Sequence, residues 1–210
     1  MATNEFDSRA RGWDKESIHW ERSKAIADRI IKMLPANNKI KALEYGAGTG
    51  ILSFMLSDKL AEITLMDNSQ EMVKVLQEKV IENKSANLKP LIFNLEETEY
   101  KTETFDFIYT QMVLHHVLNT KLIISRFYDM LNSGGCLAIA DLYKEDGSFH
   151  GEGFNGHNGF DVEQLKENLE KAGFTDITTE QCFVMKKGSG NVMKDYPVFL
   201  MIARKPTDSH

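Results

Sequence analysis

Three alternating glycines, in Gly46-Ala47-Gly48-Thr49-Gly50, stand between two apolar runs and restrict the fold more than any other stretch of the chain. A strand-length apolar run, a Gly-rich turn and a helical run bring backbone close to a ligand. Glycine permits the tight turn and removes the side chains that would block approach. A dinucleotide fingerprint would continue G-x-G-x-x-G/A and place Gly or Ala at position 51, where this chain has Ile51. A phosphate-cradling loop would end in Gly-Lys-Ser/Thr, which is absent. Glu44, two residues before the first glycine, suits a ligand that carries an ammonium group. A plain tight turn with no ligand is the alternative.

The pattern around this loop alternates between strand-like and helix-like runs. Periodicity predicts a helix over residues 17–34, with Ile18, Ile26, Ile30 and Leu34 on one stripe and Pro35 as its stop. Strands are expected over 40–45, 63–66, 88–93, 105–109 and 136–140, with Gly134-Gly135 turning the chain into the last of these. Helices are expected over 51–57, after a capping Ser69 with Met72, Val73, Leu76 and Val80 buried, and over 121–131. Asp161, with Gln164 three residues on, caps a final helix that Gly173 ends. Residues 174–185 and 198–203 read as two strands joined by a polar, Gly-containing turn, an antiparallel edge on a parallel sheet. The fold class is therefore α/β, a Rossmann-like doubly wound sheet with helices on both faces.

Asp67 ends the second strand, 21 residues beyond Gly46. There its carboxylate can accept from two ribose hydroxyls of a bound nucleoside, while a helix N-cap role is equally compatible. Composition narrows the partners. An apolar fraction of 42% and a charged fraction of 27% are those of a soluble globule. The formal charge of −6, with basic residues scattered, gives no pull toward nucleic acid or anionic lipid, so neither partner is expected. Residues 1–13 lack the apolar segment of a signal peptide, and Cys136 and Cys182 each sit in apolar runs. They read as reduced core cysteines of a cytoplasmic protein.

Taken together, Leu43 to Gly50, Ile63 to Met72, Phe105 to Tyr109 with Leu114-His115-His116-Val117, and Leu131 to Gly135 resemble the class I S-adenosylmethionine-dependent methyltransferases. The nearest group is similar to methyltransferase types 11 and 12 and to the ubiquinone/menaquinone-biosynthesis enzymes. The resemblance implies seven strands, the last antiparallel, and S-adenosyl-L-methionine as cofactor. It implies that Glu44, Gly46, Ala47, Gly48 and Gly50 line the methionine end and that Asp67 holds the ribose. Asn68 and Met72 would border the adenine, and Gln111 would face the methionine moiety. The family often has an acidic residue after its third strand. Here Asn94 or the backbone at Leu95 must substitute. Residues 1–35 are expected as an N-terminal helical segment, with a lid and a simple docking of the first helix as its two readings, and residues 36–210 as the cofactor-binding domain.

Methyl transfer from a sulfonium is an in-line displacement, so positioning and a dry site dominate, and a base is needed only for a protonated nucleophile. Residues 141–160 follow the fifth strand, carry five glycines and no periodicity, and supply Asp141, Tyr143, His150 and His157 to the acceptor side. Asp141, His150 and His157 are the expected catalytic set, one histidine acting as general base. The same three are acceptable metal ligands but lack a spacing signature, and no metal is expected. His115 and His116 read as a packing and hydrogen-bonding pair. The aromatics Phe6, Trp13 and Trp20, with Arg22, either close over the sulfonium or dock the first helix. The leading function is methyl transfer to a small molecule. An NAD-dependent oxidoreductase and a non-catalytic S-adenosylmethionine-binding module are the alternatives.

Overall fold

The expected strand segments join in one seven-stranded sheet. The structure, a computed structural model, describes residues 6–35, 39–189 and 192–207. A 3-10 segment, Asp7–Lys15, leads into helix α1, Ser17–Met33. Then follow β1 (Lys41–Tyr45), α2 (Ile51–Leu56), β2 (Glu62–Asp67), α3 (Gln70–Glu82), β3 (Leu88–Ile92) and β4 (Phe105–Gln111). The chain continues through α4 (Thr120–Met130), β5 (Leu131–Leu142), α5 (Val162–Lys171), β6 (Thr175–Ser189) and β7 (Val192–Arg204). The strand order is β3-β2-β1-β4-β5-β7-β6. The pairs among β1 to β5 are parallel, and β7 is antiparallel to both of its neighbours.

The helices form where side chains satisfy their open N–H groups. Ser69 accepts from Met72 N–H, Asn119 from Leu122 N–H, and Asp161 from the N–H groups of Glu163 and Gln164. Each such cap contributes about 1 kcal/mol. Alternation along the strands feeds two cores. On one sheet face Ala42 packs with Ile26 and Ile30 of α1, Leu52 of α2 and Leu76 of α3. On the other, Leu43 and Tyr45 pack with Ile123 and Phe127 of α4 and with Leu165 and Leu169 of α5. Among the described residues no helix is long and apolar enough to cross a membrane.

Three strands extend beyond the sequence pattern. β5 begins at Leu131, so Gly134 and Gly135 lie inside an irregular strand start rather than before it. β6 and β7 continue through residues expected as a turn, pairing Lys186 with Asp195 and Lys187 with Lys194. A two-stranded ribbon with exposed faces needs no apolar alternation, and cross-strand ion pairs such as Lys186 Nζ to Asp195 Oδ1 (2.7 Å) serve instead. The expected tip of that turn, residues 190–191, lies outside the described residues.

Candidate active site

β1 and β4 lie side by side, and the chain leaves them toward opposite sides of the sheet order. That switch point opens a crevice at the C-terminal strand ends. The glycine loop forms its floor. Gly46, Gly48 and Gly50 all have positive φ (69°, 53° and 79°), a region that L side chains rarely adopt. A Cβ on Gly46 would also collide with Val113, whose Cγ1 would stand 2.7 Å away. At Gly48 the nearest atom to an added Cβ is Met72 Sδ at 3.9 Å, so bare backbone faces open space. The N–H groups of Gly46 and Ala47 both donate to Met66 carbonyl oxygen (2.8 and 3.0 Å). Asp67 fastens the turn to α3: its Oδ2 accepts from Gly48 N–H (2.7 Å) and its Oδ1 from Ser69 N–H (2.8 Å). Burial raises the Asp67 carboxyl above its ordinary value, opposed by these N–H donors.

The crevice is a cavity of about 710 Å³. One end is walled by Tyr45 together with Gly46, Ala47, Gly48, Asp67, Asn68, Met72, Asn94 and Leu95, so eight residues expected to border the cofactor line this cavity. Asn94 Oδ1 accepts from Glu96 N–H (3.0 Å), and the Leu95 carbonyl accepts from Arg126. Gln111 stands midway, its side chain hydrogen-bonded to Ser23 Oγ of α1 at 3.0 Å. The 3-10 segment supplies Phe6, Arg9 and Trp13 to the wall. It is held down by Asp14, which accepts from Thr49 Oγ1 and from Lys79 Nζ (2.6 Å).

Glu44 lies elsewhere than expected. It is fully buried beneath the loop, on the sheet face carrying Ala42, and accepts from Ser53 Oγ, which sits 2.6 Å from Tyr109 OH. Its Oε1 has no hydrogen-bond partner among the described residues. Burial pushes its carboxyl up to about 8, so near neutral pH it is largely protonated.

The other end of the cavity gathers His115, His116, His150, Arg22, Met185 and Lys187. His115, 1% exposed, donates from Nδ1 to Asp141 Oδ1 (2.6 Å), and its backbone N–H reaches Asp141 Oδ2 (3.2 Å). Asp141 thus stands behind His115 rather than on the cavity wall. His150 stacks on Phe154, with ring centroids 3.8 Å apart, and its Nε2 is buried without a partner among the described residues. Desolvation, then the neighbouring His115, lowers His116 to about 3 and His150 to about 4. His157 is directed away from this group: its backbone N–H donates to His115 carbonyl oxygen (2.7 Å) and its Nε2 to Val117 carbonyl oxygen (2.9 Å). The expected set of Asp141, His150 and His157 therefore does not meet at one point. The packing pair His115–His116 takes its place beside His150.

Arg22 is the residue the sequence reading undervalued. It is 5% exposed, and its Nη1 contacts only Met185 Sδ at 3.7 Å, while Nε has no partner. No carboxylate among the described residues forms an ion pair with it. Asp141, the acid whose charge acts on it, already accepts from His115 and from Leu142 N–H (2.7 Å). Desolvation lowers its pKa to about 10. The signal was present: Arg22 sits one helical turn before Ile26, on the buried stripe of α1, where a charge has no structural reason to be.

The profile of a methyltransferase-domain family matches residues 18–179. The chain belongs to the class I S-adenosylmethionine-dependent methyltransferases. It is 26% identical over 192 residues to phosphoethanolamine N-methyltransferase 1 of Triticum aestivum, covering 86% of the chain and 38% of that protein. It is 29% identical over 150 residues to an uncharacterized methyltransferase of Staphylococcus carnosus, covering 70% and 69% of the two chains. The chain thus spans well under half the length of the plant relative. A solved Haemonchus contortus phosphoethanolamine N-methyltransferase, in complex with phosphomonomethylethanolamine and S-adenosylhomocysteine, superposes with a TM-score of 0.73 at 19% identity. That match covers 90% of this chain and 53% of the other, and it shows the shared fold.

Proposed function

We propose that this protein transfers the methyl group of S-adenosylmethionine to a small-molecule acceptor bearing an anionic group. The observation that carries the reading is a single cavity with Asp67 and the bare Gly48 backbone at one end and the unpaired Arg22 guanidinium at the other. A nucleoside cofactor fits the first end: Asp67 offers ribose acceptors, Asn68, Met72, Asn94 and Leu95 border the base, and Gln111 faces the methionine part. Glu44, buried beneath the loop, braces the turn from below through its hydrogen bond to Ser53 rather than by touching the cofactor. The second end suits an anion, because a buried guanidinium without a counter-charge costs several kcal/mol that a carboxylate or phosphate would offset. Its neighbours Met185 and Asp141 belong to β6 and to the end of β5, the acceptor half. The relatives named for phosphoethanolamine act on a molecule of that charge, which makes phosphoethanolamine the first acceptor to test.

The attacking heteroatom lies against His115, His116 and His150, where its proton leaves. Of the two histidines expected as base, His150 remains on the cavity wall, whereas His157 serves the backbone of the loop. The 3-10 segment closes the cofactor end as a lid, with Trp13 and Phe6 toward the cavity. The deciding experiment is calorimetry with S-adenosylmethionine, S-adenosylhomocysteine and NAD, followed by a methylation screen of anionic metabolites. Submicromolar to micromolar binding of the first two, together with a methylated product, is the expected outcome. Binding of NAD alone would overturn the reading, and cofactor binding without any product would leave a sensing module.

A further inference from the structure

The three imidazoles at the acceptor end share a geometry that packing does not require. We propose that His115, His116 and His150 form a site for one divalent transition-metal ion of the zinc class, open on its fourth side to the acceptor. This goes beyond the methyl-transfer reading and does not depend on it.

The distances carry the argument. One ring nitrogen from each of the three histidines lies within 4.8 Å of one from each of the other two. The ring centroids are 4.2 Å apart for His115 and His116, and 5.1 Å for His150 with each of them. Three imidazoles on a tetrahedral ion, with metal–nitrogen bonds near 2.0–2.1 Å, place their ring centres about 5 Å apart. A small inward rotation of the rings would complete such a shell.

The surroundings are those of a built site. Asp141 Oδ1 accepts a hydrogen bond from His115 Nδ1 at 2.6 Å, so Nε2 is the nitrogen that His115 can offer to an ion. A carboxylate behind a ligating histidine is the common outer-shell arrangement, and it raises the basicity of the ligand. Asp141 is itself locked by the N–H groups of His115 and Leu142. His150, held by its stack on Phe154, keeps a buried Nε2 that no described residue satisfies. An orphaned buried nitrogen is costly unless something outside the chain pairs with it. Phe149 and Phe154 stand edge-on or tilted around the group and limit water.

The donor set names the ion class. Three neutral nitrogens suit zinc, cobalt or nickel and do not suit magnesium or calcium, which take oxygen ligands. Three protein ligands leave one position open, as in catalytic rather than structural zinc sites. In that position the ion would bind the acceptor's heteroatom, lower the pKa of the proton it carries and let that proton pass to solvent. The bond then formed to the methyl carbon matches the one broken at the sulfonium, leaving neutral S-adenosylhomocysteine.

The test uses the full chain, purified without a histidine tag, stripped with a chelator, loaded with zinc and gel-filtered before elemental analysis. Cobalt substitution supplies an absorption spectrum as a second readout. The wild-type protein is expected to retain about one zinc ion per chain and to give the intense visible bands of four-coordinate cobalt. His150→Ala and His116→Ala should each lose the bound ion, and Asp141→Asn should weaken it on the order of 10–100-fold. His157→Ala should retain it. Calorimetry with S-adenosylmethionine on the same samples reports folding and the cofactor site separately. Cofactor binding without retained metal would overturn this proposal alone, as would metal retention unchanged in both His150→Ala and His116→Ala. Retained metal without cofactor binding would uphold the metal site and count against the methyltransferase reading instead.

Discussion

Asp67 accepts a hydrogen bond from the backbone of Gly48 at 2.7 Å, so the residue expected to hold the ribose also holds the loop that borders the cofactor. The two roles are coupled. Asp67→Ala should raise the dissociation constant for S-adenosylmethionine by roughly 10- to 100-fold, since it removes charge-assisted hydrogen bonds of about 1.5–3 kcal/mol. It should also lower stability, because the N–H groups of Gly48 and Ser69 lose their acceptor. Calorimetry and urea denaturation on one variant check both.

Gly46 is constrained twice, by its φ of +69° and by Val113. Gly46→Ala is expected to destabilise by about 1–3 kcal/mol. Shortening the obstacle in Gly46→Ala/Val113→Ala should recover the clash but not the backbone strain. The urea midpoints of the two variants separate those contributions.

Glu44 predicts a pH dependence. Its folded pKa, near 8, lies above the ordinary carboxyl value of 4.5. The folded state therefore holds the proton more tightly than the unfolded state between those values. The resulting stability is complete below pH 4.5 and is lost as pH rises toward and through 8. Each unit of difference corresponds to about 1.4 kcal/mol. Glu44→Gln, which is neutral throughout, should flatten the fall in stability between pH 5 and 8.5, as read by urea denaturation across that range. If binding the cationic cofactor favours the charged form of Glu44, calorimetry in buffers of different ionisation enthalpy will register proton release.

Arg22→Met should separate stability from function. The thioether neighbour Met185 offers an apolar contact to a methionine at that position, and removing an unpaired buried charge is often neutral or stabilising by about 1–4 kcal/mol. Acceptor KM should rise at least tenfold while S-adenosylmethionine affinity is held. A loss of cofactor affinity instead would assign the guanidinium to the cofactor's own carboxylate.

Asp14 ties the 3-10 segment to Thr49 and Lys79. Asp14→Ala should speed cofactor dissociation several-fold with little change in global stability, since exposed and half-exposed ion pairs contribute about 0–1 kcal/mol. Stopped-flow displacement of S-adenosylhomocysteine reads the rate.

Ser69 and Asp161 were legible in the sequence because each caps backbone within three residues of itself, and the glycine loop and Asp67 because the strand–turn–helix pattern fixes where they stand. Local chemistry is enough to place such residues. The acceptor end was not legible for the opposite reason. His115 meets Asp141 from 26 positions away, and His150 joins them through a loop whose course only the packed sheet determines. His157 was equally plausible by residue type, and only its bonds to the backbone of His115 and Val117 distinguish it from His150. Glu44 was expected to line the methionine end, but alternation along β1 puts it beneath the loop with Ala42 rather than on the cavity wall. Arg22 could have been found from the helical stripe alone.

The last strand of the sheet in chain order, β7, is inserted between β5 and β6 and bonds to both. During synthesis β5 therefore emerges with one flank bonded to β4 and the other open, until some fifty further residues have been made. An open flank of Leu137, Ala138, Ile139 and Ala140 can recruit a foreign strand. The nascent chain is most exposed to aggregation in that interval, and its cellular yield should depend more on translation speed and holdase chaperones than on its final stability.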